Sequence, residues 1–306
     1  MDAPSPTAPA TEYLNLKEVA DLLRLKERKL YDLVREGRIP CVKVTGKWLF
    51  PRAKIEAWIA GAETGGAVAH AAARPRPPGI VAGSRDPLLD WAIGESRCGL
   101  ATLGGGSLSG LERFRSGGAL AAGLHLLDAD TGEYNIPFIT RDGGTDGMVL
   151  IEWARREQGL VVPPGNPLSL ASAADILARG ARVAMRQPEA GAHVLLAALV
   201  ARAGGALPDL PSGGDVCQTG LEVGLAVLDG RADCGIAVRA VARRLHLDFV
   251  PLAWERFDLL LDRRDYFEPP VQALLAFGRS PALAAKAADL RGYDLSNHGT
   301  VRFNGA

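Results

Sequence analysis

The 306-residue chain lacks any excess of charge: 35 Lys and Arg stand against 35 Asp and Glu. That balance excludes a protein that is basic throughout, though it leaves room for local asymmetry. Cysteine is scarce. Cys41, Cys98, Cys217 and Cys234 show neither zinc spacing nor a CxxC pair, so they read as small buried residues rather than a metal site or a disulfide framework. The five histidines, at 70, 125, 193, 246 and 298, also lack metal spacing, and no metal is expected. No apolar run is long enough to span a membrane. The opening residues, MDAPSPTAPATEY, have neither the basic nor the apolar region of a signal peptide, so the expected location is cytoplasmic. Repeats of solenoid period are absent. Gly105 to Gly110 has phosphate-loop spacing, but Leu111-Glu112 follows where Lys-Ser/Thr is required, which excludes a nucleotide phosphate loop. No Ser/His/Asp or Cys/His arrangement is visible along the chain, so an enzyme is not the expected class.

What is present divides the chain. Residues 1–10 are rich in Pro, Ala and Thr and read as a disordered tail. Residues 61–78, GAETGGAVAHAAARPRPP, have little to pack and read as a linker. Between and beyond them lie a small module over 11–60 and a large one over 79–306. The small module holds eleven Lys/Arg and seven Asp/Glu, so one end of a neutral chain is basic.

In the small module, Leu16, Val19, Ala20 and Leu23 make one apolar helical face, with Asn15 placed to cap it. A second helix is expected from Glu27 to Glu36, with Leu30, Leu33 and Val34 inward and Gly37 as its stop. Residues 42–50 read as a β-hairpin turning at Thr45-Gly46, and Pro51 is placed to open a third helix bearing Ile55, Trp58 and Ile59. Two helices joined by a tight turn, followed by a hairpin, make a winged helix-turn-helix. Lys26, Arg28, Lys29 and Tyr31 fall at the start of the second helix, and Lys43 and Lys47 on the hairpin. Basic residues there meet the phosphates and major groove of double-stranded DNA; the plainer alternative is a solvated basic face. The stretch LNLKEVADLLRLKERKLYDLVREGRIPCVKVTGKWLFPRAKIEAWI resembles the excisionase-type, MerR-related winged helix-turn-helix.

In the large module, short apolar segments alternate with helical patterns: 79–83, 99–103, 160–164, 182–186, 231–238, 248–254 and 258–262 read as strands. The expected fold is α/β, with open, mostly parallel sheets and ligands at the strand ends. Those ends carry Ser84, Ser107, and Arg186-Gln187 ahead of a helix beginning near Gly191. Hydroxyls, backbone N–H groups and helix N-termini suit an oxyanion. His125 is a further candidate cleft residue, and Ser109 with Glu112 reads as a capping box.

The segments VAGSRDPLLDWA, GGGSLSGLERFRSG, LVVPPGNPLSLASAADIL, VAMRQPEAGAHVLL, GLAVLDGRADCGIAV and FDLLLDRRDYFEPPVQALLAF resemble the type II periplasmic-binding-protein superfamily, in the branch fused behind helix-turn-helix domains. The resemblance implies a two-lobed α/β domain. Lobe one would span 79–160 plus about 252–300 and lobe two about 161–250, with crossings at LVVPP and near 250–262. That superfamily includes molybdate and tungstate binders, whose serines and backbone N–H groups hold a tetrahedral dianion, and Ser84 and Ser107 match them by position. The QPEAGAH loop lacks a hydroxyl residue and carries Glu189, so a larger anion such as molybdenum cofactor stands beside molybdate as the implied effector. The function implied is a one-component transcription regulator, a homodimer on two-fold operators, that senses a small anion. The alternatives are a cytosolic oxyanion carrier and a cofactor-assembly enzyme.

Overall fold

Asn15 starts the first helix as its side chain requires: it accepts the Glu18 N–H at 3.0 Å, while the Glu18 carboxylate accepts the Asn15 N–H at 2.7 Å, a reciprocal capping box. The computed structural model to which this helix belongs describes residues 13–35, 39–44, 46–62 and 76–305. It divides into two units, Met1–Arg74 and Pro75–Ala306. The expected tail over 1–10, most of the expected linker, Glu36, Gly37 and Thr45 lie outside the described residues.

The first unit runs β1 (Tyr13–Asn15), α1 (Leu16–Leu23), α2 (Glu27–Arg35), β2 (Val42–Val44), β3 (Lys47–Pro51) and α3 (Arg52–Ala62). Val19 and Ala20 of α1 and Leu30, Leu33 and Val34 of α2 bury against Phe50 and Ile55. The expected helix pair and hairpin are both present. The sheet has a third strand, because β1 pairs antiparallel with the free side of β3. Pro51 closes β3 and pairs with Tyr13 rather than opening α3.

The second unit opens with β4 (Ile80–Gly83), α4 (Pro87–Ser96), β5 (Ala101–Gly104), α5 (Ser107–Arg115), β6 (Ala121–Leu124), α6 (Ile136–Thr140) and β7 (Met148–Val162). It continues with α7 (Ala173–Arg179), α8 (Gly191–Arg202), α9 (Gly220–Leu228), β8 (Gly235–Val238), α10 (Arg239–Leu245) and β9 (Asp248–Asp262). α11 (Pro269–Gly278), α12 (Pro281–Leu290), β10 (Tyr293–Asp294) and β11 (Val301–Asn304) complete it. Only the pairs β4–β5 and β4–β6 are parallel among these strands; β7 and β9 run antiparallel to each other over their full lengths. The expected mostly parallel sheet is therefore corrected to a mixed one. Residues 182–186 form isolated bridges at Val183 and Arg186 rather than a strand. α5 starts at Ser107, so the expected Ser109–Glu112 capping box falls inside the helix and does not form.

Long strands β7 and β9 carry the chain between two lobes. Trp153 and Phe257 belong to one core, with Leu88, Leu89, Leu274 and Leu283. Leu160 and Val162 belong to another, with Leu170, Ile176 and Leu195. The crossing thus lies upstream of LVVPP on β7, between Ala154 and Gly159. Register shifts mark both its ends, between Glu152 and Ala154 and between Gln158 and Gly159. A Cβ on Gly159 would lie 2.1 Å from the Val250 carbonyl, so the second bulge admits only glycine.

Candidate functional site: an interlobe cleft and a basic face

The strand β4 ends at Gly83-Ser84, and α4 begins three residues on. Asp86 caps it, accepting the Leu89 N–H at 2.8 Å, with Pro87 in the first helical position. The helix mouth is therefore occupied by the chain's own carboxylate. Asp86 is fully buried, and its second oxygen accepts from Arg156 Nη1 at 2.9 Å and from the Tyr293 hydroxyl at 2.7 Å.

Arg156 stands in the crossing segment of β7. It donates through Nε to Glu255 Oε1 at 2.6 Å, and its guanidinium lies over the Phe257 ring at 4.2 Å. Gln158, two residues on along the same strand face, donates to the same oxygen at 2.9 Å. The other Glu255 oxygen lies 2.8 Å from His125 Nδ1, and His125 Nε2 lies 2.8 Å from Ser84 Oγ. A continuous chain of contacts thus runs from Ser84 through His125, Glu255, Arg156 and Asp86 to Tyr293. Burial pushes the Glu255 carboxyl up, but Arg156, His125 and Gln158 outweigh it and hold it at about 2. Burial draws the Arg156 guanidinium down, yet Glu255 and Asp86 raise it well above its ordinary value. Burial lowers His125, and Arg156 and Arg186 add to the lowering against the opposing pull of Glu255. At neutral pH the network holds Glu255 as a carboxylate, Arg156 as a cation and His125 as a neutral ring.

This network floors a cleft of about 900 Å³ between the lobes. Ser84 and His125 line it from one side and Arg186 from the other; Arg156 and Gln158 lie between, and Trp91, Ile236 and Val241 add apolar wall. Arg186 is held by carbonyl groups: Nε donates to Gln187 Oε1 at 3.0 Å and Cys217 O at 3.2 Å, and Nη2 to Gln218 O at 3.1 Å. Among the described residues no carboxylate lies within ion-pair distance of it. Burial depresses its guanidinium to about 10, so it remains a cation at neutral pH.

Of the six residues expected in the cleft, Ser84, His125 and Arg186 line it. The other three stand behind them. Ser107 is fully buried, and its hydroxyl accepts the His125 N–H at 3.2 Å. Gln187 is buried and holds Arg186 to the Gln218 carbonyl. Gly191 packs so closely on His125 that a Cβ would meet its carbonyl oxygen at 2.5 Å and its ring at 2.7 Å. Ser107, Gln187 and Gly191 thus support His125 and Arg186 from behind the residues that line the cleft. Reading the sequence missed Glu255, Arg156, Gln158 and Asp86. The signal of the first three is charge and amide in the middle of apolar strands, as in ARREQGLVV and WERFDLLL, and Asp86 reads only as a helix cap before Pro87.

In the first unit Lys26, Arg28, Lys29, Tyr31, Lys43 and Lys47 are all exposed. Lys43 Nζ lies 5.3 Å from the Trp48 ring centre, which supports it on the hairpin. Among the described residues none of the five cations has a carboxylate at ion-pair distance, so their charge faces solvent.

Two family profiles match the chain: a helix-turn-helix domain over residues 13–62 and a PBP superfamily domain over residues 92–279. The second spans more than half of the sequence. The chain belongs to the PBP superfamily. Its PBP domain is the unit that contains the cleft, and the helix-turn-helix match coincides with the basic module. YvgK of Bacillus subtilis (strain 168), an uncharacterized protein, is 28% identical over 95% of this chain and 98% of its own. An uncharacterized Clostridium pasteurianum protein from the 5′ region of a ferredoxin 2Fe-2S gene is 30% identical over 28% of this chain and 76% of its own. Among solved structures, a Clostridium perfringens protein described as a phosphate ABC transporter substrate-binding protein with bound phosphate superposes with a TM-score of 0.54. It is 10% identical over 69% of this chain and 96% of that one, a likeness of fold alone. Among the described residues no helix is long and apolar enough to cross a membrane, and no group of His, Cys, Asp and Glu could hold a metal ion. Cys98, Cys217 and Cys234 are buried free thiols, and Cys41 is a partly buried one.

Proposed function

We propose that this chain is a ligand-responsive, DNA-binding regulator in which the basic module engages double-stranded DNA and the interlobe cleft binds a small anion. The observation that carries the reading is Arg186: a half-buried cation, positioned by three carbonyl acceptors, facing a cleft and lacking a carboxylate partner among the described residues. Such a charge is satisfied by an anion from solution. Lys26, Arg28, Lys29, Lys43 and Lys47, exposed and with no carboxylate at ion-pair distance among the described residues, support the DNA half, with Tyr31 beside them. Molybdate, tungstate and molybdenum cofactor are the effector candidates that the superfamily resemblance supplies. A homodimer fits two-fold operators, and cytoplasmic residence fits DNA binding. The domain limits we adopt are 11–60 and 79–306.

A second reading comes from the Ser84–His125–Glu255 chain, whose spacings suit a nucleophile, a base and its orienting carboxylate. We favour binding over turnover, because the Ser84 N–H donates to Gly123 O at 3.0 Å and so does not serve an oxyanion. Release of nitrophenol from p-nitrophenyl acetate, lost in Ser84→Ala, would reverse that preference. The regulator reading is tested by titrating the full chain with duplex DNA across a salt series, and with phosphate, sulfate and molybdate by thermal shift. DNA binding that weakens with salt, and stabilisation by an anion that disappears in Arg186→Met, are expected. A chain that binds neither DNA nor any anion contradicts it.

A further inference from the structure

Ser84 and Gln158 line the cleft beside Arg156 and Arg186, and their hydrogen bonds bear on which kind of anion it takes. The inference rests on the anion-binding reading and narrows it. A carboxylate only accepts hydrogen bonds, so the contact of Glu255 Oε2 with His125 Nδ1 places the imidazole proton on Nδ1. Nε2 of the neutral ring is then a bare acceptor, and the hydrogen in its 2.8 Å contact with Ser84 comes from the serine hydroxyl. Ser84 has thereby used its only proton, and its oxygen presents lone pairs to the cleft.

Gln158 is fixed by the same logic. Its contact with Glu255 Oε1 requires the amide nitrogen on that side, because an amide oxygen there would face a carboxylate. The amide oxygen, Oε1, is buried, accepts no hydrogen bond, and belongs to a side chain lining the cleft. Unsatisfied buried acceptors of this kind are uncommon in folded proteins and mark a missing partner. The end of β4 and the crossing segment thus offer one acceptor each, Ser84 Oγ and the buried Gln158 Oε1, while the opposite lobe offers the Arg186 cation. A fully deprotonated tetrahedral dianion has no hydrogen to give to either acceptor. The volume of about 900 Å³ also exceeds what such an ion fills, and falls in the range of clefts built for organic ligands.

We infer that the cleft is built for an organic anion carrying a hydrogen-bond donor, a hydroxyl or N–H group, which is taken by Ser84 Oγ and Gln158 Oε1 while Arg186 takes the anionic group. A ring that became protonated would reverse the polarity at Ser84. Its burial, with the Arg156 and Arg186 guanidiniums on it from β7 and from the segment before α8, opposes that state, and Glu255 on β9 is the one group favouring it.

The test is a thermal-shift and calorimetric comparison of matched probes on the full chain at pH 8: glycolate against methoxyacetate, and glycerol 3-phosphate against methyl phosphate, with sulfate and molybdate as bare anions. We expect the hydroxylated member of each pair to bind at least tenfold tighter. That ratio should fall toward one in Ser84→Ala and in Gln158→Met, a substitution of similar size that removes the acceptor. Molybdate, sulfate or methyl phosphate binding as tightly as the hydroxylated probes would overturn the inference and leave anion sensing standing, provided Arg186→Met abolishes that binding. Absence of binding by every probe would remove the anion-sensing reading along with it.

Discussion

The two units handle charge in opposite ways. In the helix-turn-helix unit Lys26, Arg28, Lys29, Lys43 and Lys47 are exposed and, among the described residues, have no carboxylate at ion-pair distance; they are carried on short elements around a small core. In the PBP unit the charges that floor the cleft are buried and tied to one another, with Arg156, Glu255 and Asp86 each at most 1% exposed. Exposed charge is suited to a partner that brings its own dense charge and releases counterions, as DNA does. Buried charge is suited to holding a few polar atoms in one geometry for a small ligand. A net charge of zero thus conceals two arrangements of charge built on different physics.

The comparison breaks most severely at Arg156. Replacing it by Met leaves Glu255 and Asp86 as buried carboxylates that have lost a cationic partner, a change that costs about 3–5 kcal/mol. Urea unfolding should show a large drop for Arg156→Met. A drop near the 0.5 kcal/mol typical of surface changes would mean the network is not structural. On the DNA side, Arg28→Ala with Lys29→Ala should leave stability within about 0.5 kcal/mol and lower the slope of log affinity against log salt by about 2. An unchanged slope would remove these residues from the interface.

A pH series sharpens the contrast further. The Glu255 carboxyl is held at about 2 in the folded chain, against 4.5 ordinarily. Its stabilising contribution is therefore complete above about pH 4.5 and is lost as pH falls toward 2. Unfolding midpoints between pH 5 and pH 2 should fall more steeply for the native chain than for Glu255→Gln. Equal slopes would show that Glu255 is not held ionised by its partners. The smallest effect is expected at Asn15, whose cap lies outside both recognition surfaces. Asn15→Ala should destabilise the helix-turn-helix unit by about 1 kcal/mol, read from its thermal midpoint.

Much of this architecture is legible in the residues. The apolar spacing of Leu16 to Leu23, the Asn15 cap and the Lys47–Phe50 strand depend on local periodicity and capping, and they fold as that periodicity dictates. The PBP unit is legible where its elements are local, as at β4, α4 and α8. It is opaque where two distant segments satisfy each other. ARREQG and WER look like solvent-facing breaks between strands, yet they are the middles of β7 and β9, where Arg156 and Glu255 neutralise one another across the crossing. Spacing along one strand carries no information about a partner 99 residues away. The site followed the same division. Ser84 and His125 follow the ends of β4 and β6, Arg186 stands in the segment before α8, and all three could be read from the sequence. Ser107, Gln187 and Gly191 have residue types suited to a ligand, and spacing does not tell that Ser107 and Gly191 pack on His125 and that Gln187 holds Arg186.

The central claim is that the anion in the cleft is reported to the DNA-binding surface. Its most direct measurement is the affinity of the full chain for duplex DNA with and without saturating glycerol 3-phosphate, in the native chain and in Arg186→Met. We expect a change of about 5- to 150-fold in the native chain, the range of coupling between two linked sites, and none in Arg186→Met. An affinity that is the same with and without the anion in the native chain, under conditions where thermal shift shows the cleft filled, would contradict it.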